Sequence, residues 1–199
     1  MNLRVLICGE EGDAQRCVRE LRSRGVAAAC RVTGTRAEFA QALAEGWDVI
    51  LSGYRMRDFT VLDALKILKS RAVAAPLLVV ANAIGEQAAV DCMRAGAAGF
   101  VNSSDLTRLL PAVEQAVKEA QEREARDRAE RERSREMESH RAMVQHSLAG
   151  FFRSTISGKL LDCNHAFASI FGFESAAEIK ALPITKLYRS LADREALIE

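Results

Sequence analysis

Few side chains in this sequence are candidates for catalysis or ligand binding. The main candidates directly follow short apolar runs that have the pattern of strands. The runs cover residues 3–8, 48–51, 77–80 and 100–101, and they end in Gly9-Glu10, Ser52-Gly53, Ala81-Asn82 and Asn102-Ser103. The carboxyl ends of parallel strands share one edge of a sheet, where α/β proteins place their active sites. Among these residues, Glu10 alone carries a carboxylate.

Cysteines and histidines add little to this set. The five cysteines are scattered, with no CxxC pair, and are interpreted as reduced, small hydrophobic residues: Cys8, Cys17, Cys30, Cys92 and Cys163. Of the three histidines, His140 has no acid after it and is rejected as a phosphoacceptor. His146 and His165 are assigned structural roles.

Charge and hydropathy exclude several classes of function. The net charge is +1, which argues against nucleic acid as a partner. No run approaches the ~18 apolar residues of a membrane span. No secretory signal and no nucleotide-binding or hydrolase motif is found. A cytoplasmic protein without a membrane association is therefore expected.

Strand and helix patterns alternate along residues 1–117, so that a β-α unit repeats five times. Apolar runs bounded by glycines indicate strands buried on both faces, and stretches such as residues 13–24 have the spacing of amphipathic helices. Right-handed crossovers then predict an α/β fold, a flavodoxin-like (βα)5 doubly wound parallel sheet.

Residues 1–117 resemble a response-regulator receiver domain. Residues 5–11, 47–56, 79–86 and 95–101 match the family's first strand and acidic turn, its third and fourth strands with their loops, and the approach to its fifth strand. Four matches in order, at the right spacing, indicate the fold and leave the activity open.

In that family an aspartate after the third strand forms an acyl phosphate, aided by a Mg²⁺-binding acidic pair, a hydroxyl group and a lysine. The resemblance places Gly53 at the position of the aspartate, and Gly9 and Glu10 at the positions of the acidic pair. It places Ala81 at the position of the hydroxyl group and Ser103 at that of the lysine. Glu10 alone keeps the expected chemistry. The resemblance therefore implies a pseudo-receiver, with no catalytic residue, metal or cofactor. Residues 84–103 are expected to form its interaction face.

Residues 118–141 are predicted to form a charged helical linker. Sixteen of these 24 residues are charged, eight of each sign, and no glycine or proline interrupts them. A coiled coil that makes a homodimer is predicted at its start, where five residues have 4-3-4-3 spacing: Leu106, Leu110, Val113, Val117 and Ala120. A single solvated spacer helix is the alternative.

Residues 142–199 resemble the front half of a PAS sensor domain. The resemblance is carried by residues 150–155, 158–164, 166–167 and 171–175, with a predicted hairpin followed by two short helices. A PAS domain needs three later strands, so the module is expected to be truncated, and its ligand is left unknown.

Together these features predict a non-catalytic regulator of the two-component type that acts by protein–protein interaction and helix-mediated coupling. Two alternatives stay open: the regulatory fragment of a sensor histidine kinase or cyclase, and a small-ligand-binding PAS sensor.

Overall fold

The computed structural model describes residues 2–82, 84–155 and 157–187. It divides into two compact units, residues 1–127 and residues 128–199, which are described separately below. The predicted C-terminal module extends to residue 199, and its last part, residues 188–199, lies outside the described residues.

The N-terminal unit is built on a five-stranded parallel sheet. Its strands are β1 (Asn2–Cys8), β2 (Ala27–Thr33), β3 (Val49–Ser52), β4 (Leu77–Ala81) and β5 (Gly99–Asn102), in the order β2-β1-β3-β4-β5. The central strand β3 is buried at every position, as the continuous apolar run predicts. The predicted doubly wound parallel sheet is confirmed.

Four helices and the first part of a fifth, α5, which continues into the C-terminal unit, cover both faces of the sheet. They are α1 (Glu11–Ser23), α2 (Arg36–Ala42), α3 (Val61–Ser70), α4 (Glu86–Ala95) and α5 (Leu109–His146). Capping boxes begin two of them. Thr35 and Glu38 cap α2, and Thr60 and Asp63 cap α3, so side chains satisfy backbone N–H groups that have no partner within the helix.

Two apolar layers hold the helices to the sheet. One face packs α1 and the start of α5 through Cys17, Leu21 and Val113. The other packs α2, α3 and α4 through Phe39, Leu65 and Cys92. The layers leave the carboxyl ends of the strands open between the helices.

The long helix α5 follows a short turn. Asp105 accepts a hydrogen bond from the Thr107 N–H and caps a 3-10 turn over Leu106–Arg108 rather than the α-helix itself. From Leu109 the helix then runs for 38 residues without a break. Residues 121–143 are exposed throughout, so this stretch is a solvated helix.

The predicted coiled-coil seam is corrected by the structure. Val113 is fully buried and Val117 is 7% exposed, both within the unit's own core, and Leu106 and Leu110 pack against the same cluster. Ala120 is half-buried beside them. A helix that packs on a sheet needs the same 3–4 spacing as a coiled coil. Val113 and Val117 are therefore unavailable as a seam between two copies, whereas Leu106, Leu110 and Ala120 are partly exposed.

The C-terminal unit contains a small antiparallel hairpin and two short helices. Strands β6 (Phe152–Ser154) and β7 (Leu160–Cys163) pair, and α6 (His165–Ile170) and α7 (Ala176–Lys180) follow. Its core contains Leu160, Cys163, Phe167, Ala168 and Ile179. The predicted hairpin and helices are present, and the PAS resemblance stays a prediction.

Within the described part of the chain, no helix combines the length and the apolar character that crossing a bilayer requires.

We expect Val113→Glu to unfold the N-terminal unit. The substitution places a carboxylate without a partner in a fully buried position, which should lower the free energy of unfolding by at least about 4 kcal/mol. Urea titration followed by the fluorescence of Trp47, the one tryptophan, reports on this unit.

Ala125→Glu is the matched control, because Ala125 lies on the exposed stretch of α5 and the change should stay within about 0.5 kcal/mol. A Val113→Glu variant that keeps wild-type stability and loses only self-association would show that Val113 lies between two copies.

Candidate functional site

A cavity of about 390 Å³ opens at the carboxyl ends of β1, β3, β4 and β5. All five positions that the sequence singled out line it: Gly9, Glu10, Gly53, Ala81 and Ser103. The sheet order brings them together, since β1 and β3 are neighbours at its centre and β4 and β5 follow in sequence order.

Gly9 and Gly53 lie side by side at the floor of the cavity. The Gly53 N–H donates to the Cys8 carbonyl at 2.8 Å, which holds the ends of β1 and β3 together. A Cβ atom built at Gly53 would meet no atom closer than the Arg55 carbonyl oxygen at 3.6 Å. The position therefore has room for a side chain, and as glycine it presents no nucleophile.

Ser103 joins the ends of β4 and β5. Its N–H donates to the Ala81 carbonyl at 3.0 Å, and its hydroxyl donates to Oδ1 of Asn82 at 2.8 Å. Ser103 is 6% exposed and Asn82 is exposed, so the bond between their side chains is partly shielded from water. The serine side chain is thus engaged with its neighbour, and it carries no positive charge.

Arg16 extends this connection to helix α1. Its Nη2 donates to the Ser103 carbonyl at 2.7 Å, and its Nη1 lies 3.5 Å from Oδ1 of Asp13. A guanidinium on α1 therefore brings positive charge to the end of β5, where the resemblance places a lysine on the strand side. Three elements, α1, β4 and β5, are linked through Ser103.

Sequence reasoning did not identify Arg16 or Asn82. Arg16 contacts a backbone carbonyl, which any residue provides, so no motif marks the pair. For Asn82, the sequence indicates only a position at the end of a strand. The available signal is weak: Arg16 lies about one turn after Glu11 and Asp13, the acidic residues at the start of α1.

The thiols beside the cavity are not poised for reaction. Burial raises the pKa of Cys8 to about 12, against the smaller opposing effect of its hydrogen bond with Thr33. Burial likewise raises the pKa of Cys17 to about 11. Since the thiolate is the nucleophile, both cysteines behave as packing groups at neutral pH.

The residues of the cavity do not fit a magnesium ion. Its carboxylates are those of Glu10 and Asp13, and positions 9 and 53 offer no side-chain oxygen. Mg²⁺ asks for near-octahedral oxygen ligands. Across residues 2–82, 84–155 and 157–187, no three His, Cys, Asp or Glu side chains are grouped closely enough to hold a metal ion.

Other acidic residues near the predicted motifs are engaged elsewhere. Asp48 accepts a hydrogen bond from the Arg4 N–H at 2.7 Å, at the entrance of β3 and away from the cavity. Asp58 accepts from the Arg36 N–H at 3.0 Å, at the start of α2. Neither places a carboxylate in the cavity.

Comparison by sequence finds no matching family model and no curated protein. Comparison by structure finds signal receiver domains. One from Vibrio parahaemolyticus superimposes with a TM-score of 0.57 at 16% identity, covering 63% of this chain and 97% of its own. The beryllofluoride-activated NtrC4 receiver domain dimer gives 0.53 at 21%, covering 59% and 98%.

A third neighbour, NtrX from Brucella abortus in complex with ATP, gives a TM-score of 0.57 at 18% identity, covering 64% of this chain and 30% of its own. Identities of this size establish the fold alone. The N-terminal part of the chain, about 60% of its length, therefore has the receiver fold.

We expect Arg16→Ala to destabilise the N-terminal unit by about 1 kcal/mol, because it removes a charged donor from the half-shielded Ser103 carbonyl. Urea titration monitored by Trp47 fluorescence measures the change. Arg19→Ala, on the exposed side of the same helix, is the control. Equal losses in the two variants would contradict a specific role for the Arg16 contact.

Proposed function

We propose that the N-terminal unit is a signalling module of the two-component type that works without aspartyl phosphorylation. Gly53 carries the proposal, because it presents no carboxylate to a cavity that has room for one. Ala81 does not supply the hydroxyl group expected at its position, and Ser103 does not supply the lysine expected at its position. On this proposal the unit has no catalytic activity and acts by binding another protein.

The hydrogen bonds of Ser103 support a single resting arrangement of the cavity wall. Ser103 ties β4 to β5 through Asn82, and Arg16 ties both to α1. Ala81 has no polar group that could follow an incoming phosphoryl group. A conformational switch needs two conformations that a ligand binds with different affinity. These contacts favour one conformation.

The edge of α4 and β5 supports an interaction face within residues 84–103. Val90, Met93 and Phe100 are 42%, 51% and 40% exposed, and β5 is an edge strand of the sheet. Grouped apolar side chains at a surface mark interaction sites. A second copy of the chain is the proposed occupant, and the NtrC4 neighbour is itself described as a receiver domain dimer.

Helix α5 is the proposed transmission element to a PAS-like C-terminal module. It runs unbroken from the N-terminal unit into the C-terminal one. A cavity of about 170 Å³ lies beside β6 and β7, and residues 188–199 of the module lie outside the described residues. A small-ligand-binding role for the module therefore stays the alternative.

We expect no phosphoryl group on the protein after incubation with acetyl phosphate and Mg²⁺. The physical reason is the missing nucleophile at position 53, together with the poor metal site around it. Intact-mass spectrometry measures the outcome directly. A stoichiometric adduct that hydrolyses like an acyl phosphate would falsify the proposal.

Gly53→Asp is the matched control for that experiment. The Cβ atom of the aspartate meets no close contact, yet the substitution should restore little phosphorylation, because Ala81 has no hydroxyl group and Ser103 has no positive charge. Combining Gly53→Asp with Gly9→Asp, Ala81→Thr and Ser103→Lys gives a positive control in the same scaffold.

We expect the chain to form a dimer with a dissociation constant of about 1–100 µM, and Met93→Lys with Phe100→Lys to abolish it. Two like charges on the apolar patch should repel their copies across the interface. Sedimentation equilibrium at tens of micromolar decides between dimer and monomer.

Val32→Lys serves as the control, because Val32 is 41% exposed on β2, at the opposite edge of the sheet. It should leave the dimer intact. A monomeric wild-type chain, or a control variant that dissociates equally, would refute the proposed interface.

A further inference from the structure

Both the oxygen and the nitrogen of the Asn164 side-chain amide are fully hydrogen-bonded within the C-terminal unit. The residue is 1% exposed. Its Oδ1 accepts from the N–H groups of Phe151 and Phe167, both at 2.9 Å. Its Nδ2 donates to the carbonyls of Val144 and Ala149, both at 2.8 Å. Two donors and two acceptor lone pairs are thus all used.

The four partners of Asn164 belong to different parts of the unit. Val144 lies in the last turn of α5, Ala149 in the connection that follows, Phe151 just before β6, and Phe167 in the first turn of α6. Carbonyls in the last turn of a helix have no partner within it, and N–H groups in the first turn lack one too. Asn164 therefore caps the end of one helix and the start of another simultaneously.

The connection between α5 and β6 is held closely against α6. A Cβ atom built at Gly150 would lie 3.1 Å from Cα of Phe167 and 3.1 Å from Cδ1 of Ile170. The Asn164 N–H also donates to the Phe151 carbonyl at 3.0 Å, so Asn164 and Phe151 are paired in both directions. The connection cannot shift without disturbing α6 or these bonds.

We propose that Asn164 is a mechanical joint that couples the end of α5 to β6 and α6, so that a displacement of the helix end is passed to the C-terminal module. The functional meaning of the joint rests on the proposed transmission role of α5. Its existence does not, because the joint is defined by contacts within residues 144–167.

Amide hydrogen exchange of the full chain tests the joint. Asn164→Asp and Asn164→Ser both keep an oxygen for the Phe167 N–H, so α6 retains its cap, and both remove the two donors to Val144 and Ala149. We expect exchange at residues 141–146 to quicken about tenfold, the effect of losing a buried hydrogen bond at the end of the helix.

Ser175→Ala is the matched control. It removes the cap of α7, where the Ser175 hydroxyl accepts from the Glu178 N–H, and touches no part of α5. It should quicken exchange in α7 and leave residues 141–146 as in the wild type. Equal acceleration at residues 141–146 in the Ser175 and Asn164 variants would overturn the proposal, since the effect would then be general loss of stability.

Asn164→Ser keeps the test decisive where Asn164→Asp unfolds the module, because its neutral hydroxyl accepts from the Phe167 N–H without placing a second carboxylate oxygen against the Val144 and Ala149 carbonyls. Wild-type protection at residues 141–146 in Asn164→Ser, whether the module stays folded or not, would also overturn the joint. Neither result depends on phosphorylation or on dimer formation, so failure of the joint is distinguishable from failure of the proposed function.

Discussion

Leu109 and Val113, in the first turns of α5, are fully buried in the same cluster as Val5 and Val49 of the sheet. Burying each such side chain contributes roughly 1.5–3 kcal/mol, so this contact fixes the start of the helix firmly. Beyond Val117 the helix has solvent around it and weak pairs such as Lys118 with Glu122, at 3.9 Å. Within the N-terminal unit, the packing that holds α5 is therefore concentrated in the first turns of the helix.

The central strands and the position of the cavity could be predicted from sequence because their signals are local. Strand β3 is a continuous apolar run, which in a β-α repeat means burial on both faces. The topology then determines which residues share an edge. The role of Val113 and Val117 could not be predicted in the same way, since helix-on-sheet and helix-on-helix packing produce the same spacing.

The contacts that Arg16 and Asn164 make with distant carbonyls could not be predicted from the sequence, for a different reason. The guanidinium of Arg16 and Nδ2 of Asn164 donate to main-chain carbonyls of Ser103, Val144 and Ala149, and a carbonyl is present at every position of the chain. Such contacts depend on how distant segments approach, which no spacing within one segment records. The capping boxes of α2 and α3 show the opposite case, because both partners lie three residues apart.

Glycine at position 53 also bears on how long a signal lasts. In a phosphorylated receiver domain, hydrolysis of the acyl phosphate sets the lifetime of the signal. A chain with no side chain at this position has no acyl phosphate to hydrolyse, and under the proposed function its signalling complex persists only until the partner leaves. Residence times of protein complexes range from milliseconds to days, according to how the contact surfaces fit. The duration of the response is then encoded in the shape of an interface, where single substitutions can lengthen or shorten it.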